Sequence, residues 1–110
     1  MLKFNDTADY SETPELAPKN KISGEEAYQL YMQHTQPFLA ESGGEMMFFG
    51  TSDSFLIGPT DEKWDVIMLI KQKSIHGFMA FASNEAYLAG LGHRTAALSD
   101  SRLLPITPKS

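Results

Sequence analysis

The side chains best suited to chemistry fall into a few short groups: Tyr28, Tyr31 and His34, then Trp64 beside Asp65, then His93 beside Arg94, and finally Arg102. An imidazole or a carboxylate moves protons near neutral pH, which makes His93 and Asp65 the candidate catalytic groups. A guanidinium binds anions through charge-assisted hydrogen bonds, and tyrosine and tryptophan rings wall small-molecule pockets. For each residue a packing role competes: core or interface for the aromatics, a solvated strand end or ion pair for Asp65, one local hydrogen bond for His93.

Other chemistries are excluded by residue type. With no cysteine, the chain has no disulfide, thiolate nucleophile, Cys-ligated zinc or iron–sulfur cluster. His34, His76 and His93 lack ligand-type partners at helical spacing, so no dedicated metal site is expected. Gly90-Leu91-Gly92 lies inside a helical pattern and lacks a third glycine, which removes it as a dinucleotide motif. No Gly-x-Ser-x-Gly elbow occurs. The net charge of -5, with scattered basic residues, argues against nucleic acid. No apolar run suits a signal peptide or a membrane span, so a cytoplasmic protein is expected.

The elements that must position these residues can be read in order, and the whole length of 110 residues suits one domain. Residues 2–5 suit a short strand. Residues 6–22, with Pro14 and Pro18 and few apolar groups, suit a long connection: a lid, an arm against a neighbour or a mobile linker. Ser23-Gly24-Glu25-Glu26 is a capping box that starts a helix, and Ser42-Gly43-Gly44 stops it. Pro37 should kink that helix near residue 33 or begin a separate turn. Residues 45–49 read as a strand, 54–57 as its interrupted continuation, and 65–70 as the strongest strand. Ser74 can cap one helix and Ser83 another, with a break or a close backbone approach near residue 91 between Gly90 and Gly92. Residues 101–106 read as the last strand, at an edge that tolerates Pro105.

This order is a split β-α-β arrangement and implies an α+β, ferredoxin-like fold with a four-stranded antiparallel sheet. The strands 45–49 and 65–70 are apolar at odd and even positions alike, so both sheet faces need cover. Helices of this fold cover one face. A second subunit is expected on the other, giving a homodimeric alpha-beta barrel.

Trp64-Asp65, Ser83-Asn84-Glu85-Ala86-Tyr87, and the stretch from His93-Arg94-Thr95 through Asp100-Ser101-Arg102-Leu103 resemble the family designated domain of unknown function 1330. The resemblance covers residues 23–106 and departs from shorter family members in the long 6–22 connection. It implies the dimeric barrel and no established reaction.

In such a fold the end of the first strand and the starts of the first helix and third strand share one end of the sheet with the end of the last helix. Tyr28, Tyr31, Trp64, Asp65, His93, Arg94 and Arg102 are expected there, with His34 as an additional candidate and His76 at the opposite end. The leading expectation is a homodimer binding a compact anionic or aromatic molecule. A cofactor-independent monooxygenase- or isomerase-like enzyme fits that pocket. The alternatives are a non-catalytic protein-interaction module and a haem-binding or haem-degrading barrel.

Overall fold

The capping box forms as its spacing requires: Ser23 Oγ accepts from the Glu26 amide at 3.0 Å, and Glu26 Oε1 accepts from the Ser23 amide at 3.1 Å. Helix α1 (Gly24–Glu41) runs from it in the computed structural model, which describes residues 1–108. Pro37 neither divides α1 nor starts a new turn. It is exposed and withdraws a single amide, a loss that the remaining ladder absorbs. The stop is a Schellman motif: Gly43 takes φ of 85°, and the Gly43 and Gly44 amides donate to the Ala40 and Leu39 carbonyls.

Four strands follow from the chain's apolar runs: β1 (Leu2–Phe4), β2 (Glu45–Thr51), β3 (Val66–Lys71) and β4 (Leu98–Ser101). They form one antiparallel sheet in the order β2-β3-β1-β4, so α1 connects β1 to β2 across β3. The remaining helices, α2 (Ile75–Ala82), α3 (Glu85–Leu88) and α4 (Leu91–Ala97), connect β3 to β4 across β1. This is the split α+β topology expected from the sequence.

Besides shifts of one or two residues at β1, β2 and β3, three features differ from the sequence reading. Of residues 54–57, Ser54 alone pairs, in a single bridge to Lys63, and Phe55, Leu56 and Ile57 stand exposed at the hairpin tip. Ser83 does not cap α3; its hydroxyl donates back to Met79, and Asn84 Oδ1 caps the Ala86 and Tyr87 amides. The last strand is 98–101 rather than 101–106, because Leu98, Asp100 and Ser101 pair with Phe4, Lys3 and Leu2. Leu103, Leu104 and Ile106 beyond it are exposed.

One sheet face carries the core, where Leu2 and Val66 pack with Ala27, Tyr28, Tyr31, Tyr87 and Ala97, joined by Phe4 and Met68. Alternation puts Lys3, Ile67, Leu69 and Asp100 on the opposite face. Phe48, paired with Leu69, shares that face, and its ring fills the space above Gly50. Among the described residues no helix covers it: the molecule is a slab 18 Å thick in Cα extent, two layers deep.

The break between α3 and α4 comes from packing as well as propensity. A Cβ on Gly90 would lie 2.2 Å from Cδ2 of His34, so only glycine lets α3 sit on α1. Gly90→Ala should destabilise the fold by about 1–3 kcal/mol through this overlap. Gly77, in α2, meets nothing closer than 3.5 Å, so Gly77→Ala should instead stabilise by up to roughly 1 kcal/mol. Urea unfolding of the two variants checks the opposite signs.

Candidate functional site

The tight turn from β1 into the 6–22 segment and the start of α1 meet one end of the sheet, beside its central strands. The Gly24 amide donates to the Asn5 carbonyl at 3.0 Å, and the Asn5 amide to the Ala97 carbonyl at 2.7 Å. A Cβ on Gly24 would lie 2.2 Å from that Asn5 oxygen, so the junction is built on glycine. Asp65, just before β3, closes it from the other side: its Oδ2 accepts from the Phe4 amide at 2.8 Å, while its own amide donates to Leu2.

A cavity of about 360 Å³ opens at this junction, lined by the end of β1 with Asn5 and Asp6 after it, the Ser23 cap and Glu25 of α1, Thr51 of β2, and Asp65 and Val66. Its volume is that of a small-molecule site, although it is a wide, open depression with a mixed polar and apolar lining rather than an enclosed pocket. Three carboxylates and no cation line it, an electrostatic setting that opposes an anion and favours a cation or a hydroxyl-rich molecule. Of the candidates read from the sequence, Asp65 alone is among the lining residues.

The other candidates lie in three separate places. Tyr28 and Tyr31 are core residues in a run of rings from Phe4 through Tyr28, Tyr31 and Tyr87 to Phe81, with centroids 4.5–6.1 Å apart. The Tyr31 and Tyr87 hydroxyls pair at 2.8 Å in the interior, which satisfies both where water is excluded. Burial pushes the Tyr28 phenol up to about 12, against the opposing charge of Arg94. Burial and the hydrogen bond with Tyr87 raise Tyr31 as well. These phenols stay protonated at neutral pH, and Arg94 serves the tyrosine cluster rather than the cavity.

The two histidines of the helical layer are engaged locally. His34 Nε2 lies 2.8 Å from the Ala86 carbonyl, with its ring against Phe38. His93 Nδ1 lies 2.8 Å from the Tyr10 hydroxyl, with the two rings edge to face. Tyr10 belongs to the 6–22 segment, which is strapped along α4 rather than folded over the cavity. The Asp9 amide donates to Ala96, Ala8 to Ile22, and Thr13 and Leu16 pack onto Gly92, next to the one-turn 3-10 helix Pro14–Leu16. Besides the one backbone bond to Ala96, side chains hold the strap: the Tyr10 hydroxyl on His93, Leu16 and Thr13 at Gly92, and Ala8, Tyr10 and Ile22 packed against the core. His76 is exposed on α2.

Trp64 and Arg102 come together with Lys3. The Lys3 ammonium and the Arg102 guanidinium each lie 5.2 Å from the buried Trp64 ring, whose Nε1 donates to Glu62. Arg102 also pairs with Asp100, which faces the same side of the sheet as Lys3. The sequence did not indicate this grouping because it requires the register of β1 against β4.

No family model matches the chain, and no curated protein matches it. Among solved structures, the RPA0582 protein of Rhodopseudomonas palustris, described as of unknown function, is similar with a TM-score of 0.82 and 29% identity, over 98% of this chain and 79% of that one. The methylated RPA0582 protein is similar at 28% identity and a TM-score of 0.82, over 100% of this chain and 79% of that one. The α+β architecture with its four-stranded antiparallel sheet therefore recurs in a protein of unknown function. No helix among the described residues is long and apolar enough to cross a membrane.

The strap carries a pH dependence. Burial, with the charge of nearby His34 adding to it, lowers the His93 pKa below 6.5, so folding favours the neutral ring. The unfolded chain then binds the extra proton, and this contribution is present above the unfolded value and lost as pH falls through the folded one. Urea unfolding from about pH 7 to about pH 5 should show stability declining with acid, and His93→Gln should flatten that decline. An equal slope in both proteins would separate His93 from the effect.

Proposed function

We propose that this chain is one subunit of a homodimer, an alpha-beta barrel in which two sheets pack through their open faces, and that each subunit binds a small molecule in the cavity beside Asp65. The observation that carries the dimer is area. The chain exposes 7996 Å², whereas a folded monomer of 12.2 kDa exposes about 6,100 Å², an excess of roughly 1,900 Å². That excess is of the size each partner buries in a large, obligate interface, ~1,000–2,500 Å². Its shape agrees: the radius of gyration is 14.9 Å against about 13 Å for a compact chain of this length. Phe48 and Leu69, 55% and 48% exposed, stand on the bare face together with Ile67.

The ligand reading rests on the cavity volume and on Asp65, whose carboxylate is held by the Phe4 amide at the rim. Its acidic lining favours a compact cationic or hydroxyl-bearing molecule over an anion. Asp65 would be the proton-transfer group if the subunit is an enzyme. The wording of 83–87 and 93–103 supports membership of the domain of unknown function 1330 family. The interaction-module reading keeps one observation of its own, the exposed apolar tip at Leu56 and Ile57.

A charge on the open face tests the interface: Leu69→Asp should halve the mass measured by light scattering, since burying an unpaired carboxylate costs several kcal/mol. Unchanged mass would place the contact elsewhere. Native mass spectrometry against a denatured control tests the cavity. Asp65→Asn keeps an acceptor for the Phe4 amide but removes the charge, and should abolish a non-covalent adduct seen on the parent protein. The same adduct on both proteins, or none on either, would contradict the site.

A further inference from the structure

Two apolar segments stand away from the core of their own chain. At the β2–β3 hairpin tip, Leu56 is 104% and Ile57 94% exposed, beside Phe55. After β4, Leu104 is 82% exposed, with Leu103 and Ile106 each at 72%. Pro105 and Pro108 keep this second segment out of helix, and it extends beyond the last sheet bond, from the Arg102 amide to the Met1 carbonyl.

Their positions in the sheet are related. β2 lies at one edge and β4 at the other. The tip lies where β2 ends and β3 begins, the end at which β1 finishes. Because β4 is antiparallel to β1, with Leu98 opposite Phe4 and Ser101 opposite Leu2, segment 103–106 leaves at the far end. Tip and segment therefore occupy diagonally opposite corners.

A two-fold axis lying in the open face along the other diagonal exchanges these corners. It sets each 103–106 segment against the partner's tip and each tip against the partner's segment, the reciprocity that a two-fold interface demands. The same axis crosses the strands of the two sheets near a right angle, one of the established ways for sheets to stack. We propose that in the homodimer each subunit's 103–106 segment closes over the hairpin tip 55–57 of a second copy of this chain. This inference rests on the homodimer reading and specifies which segments the partner supplies.

The chain has no cysteine, so engineered cysteines report contacts cleanly. Leu56→Cys and Leu104→Cys, both at exposed positions, are co-expressed and oxidised mildly with oxidised glutathione. The mixed pair should form a covalent dimer at least ~10-fold more than either variant alone, because the clasp joins position 56 of one chain to 104 of the other. Leu104→Asp, which disturbs no internal packing, should raise the dimer dissociation constant on the order of 100-fold. A protein that remains dimeric with no preferred cross-link and an unchanged dissociation constant overturns the clasp and leaves the face-to-face dimer standing. A parent chain that is monomeric throughout overturns both.

Discussion

A sheet with two apolar faces and helices on only one of them is the constraint that organises this molecule. All of the helical cover goes to the face that carries Leu2, Val66 and Met68, where the run of rings from Phe4 to Phe81 fills the core. Phe48, Ile67 and Leu69 on the other face share it with Lys3 and Asp100, and with Arg102 and Trp64 beside them. Each Å² of this apolar surface that the proposed second copy covers would contribute ~25 cal/mol.

The helical layer has its own constraint, met by glycine. Gly90 gives the His34 ring its place between α1 and α3, and Gly92 lets Thr13 and Leu16 seat the 6–22 segment on α4. The segment is thereby spent on the outside of the helices. The mouth beside Asp65 is left open, with Asp6 the member of that segment on its lining. A binding site there would be built from strand ends, one helix start and the short turns joining them rather than from a closing lid.

Much of the architecture was legible because it follows from local chemistry: the Ser23 and Glu26 capping box, the Gly43 stop and the Ser74 cap each act within a few residues, and the helix break expected near residue 91 falls one step earlier, at Ala89 and Gly90. The bare face was legible too, through the lack of alternation in 45–49 and 65–70. The candidate site was legible only in part. Asp65 reaches the expected end of the sheet, but Tyr28 and Tyr31 turn into the core, His93 turns to Tyr10, and Trp64 packs beneath Lys3 and Arg102. Those outcomes depend on side-chain direction and on the register of distant strands, which spacing along one chain does not encode. The early start of β4 has the same origin, since its partners lie almost a hundred residues away in β1.

The central claim is that a second copy covers the open face, and sedimentation equilibrium of the unmodified chain across the micromolar range tests it most directly. The account predicts one species of twice the 12.2 kDa chain mass at every concentration. A stable 12.2 kDa particle with the 14.9 Å radius of gyration of the single chain would contradict it.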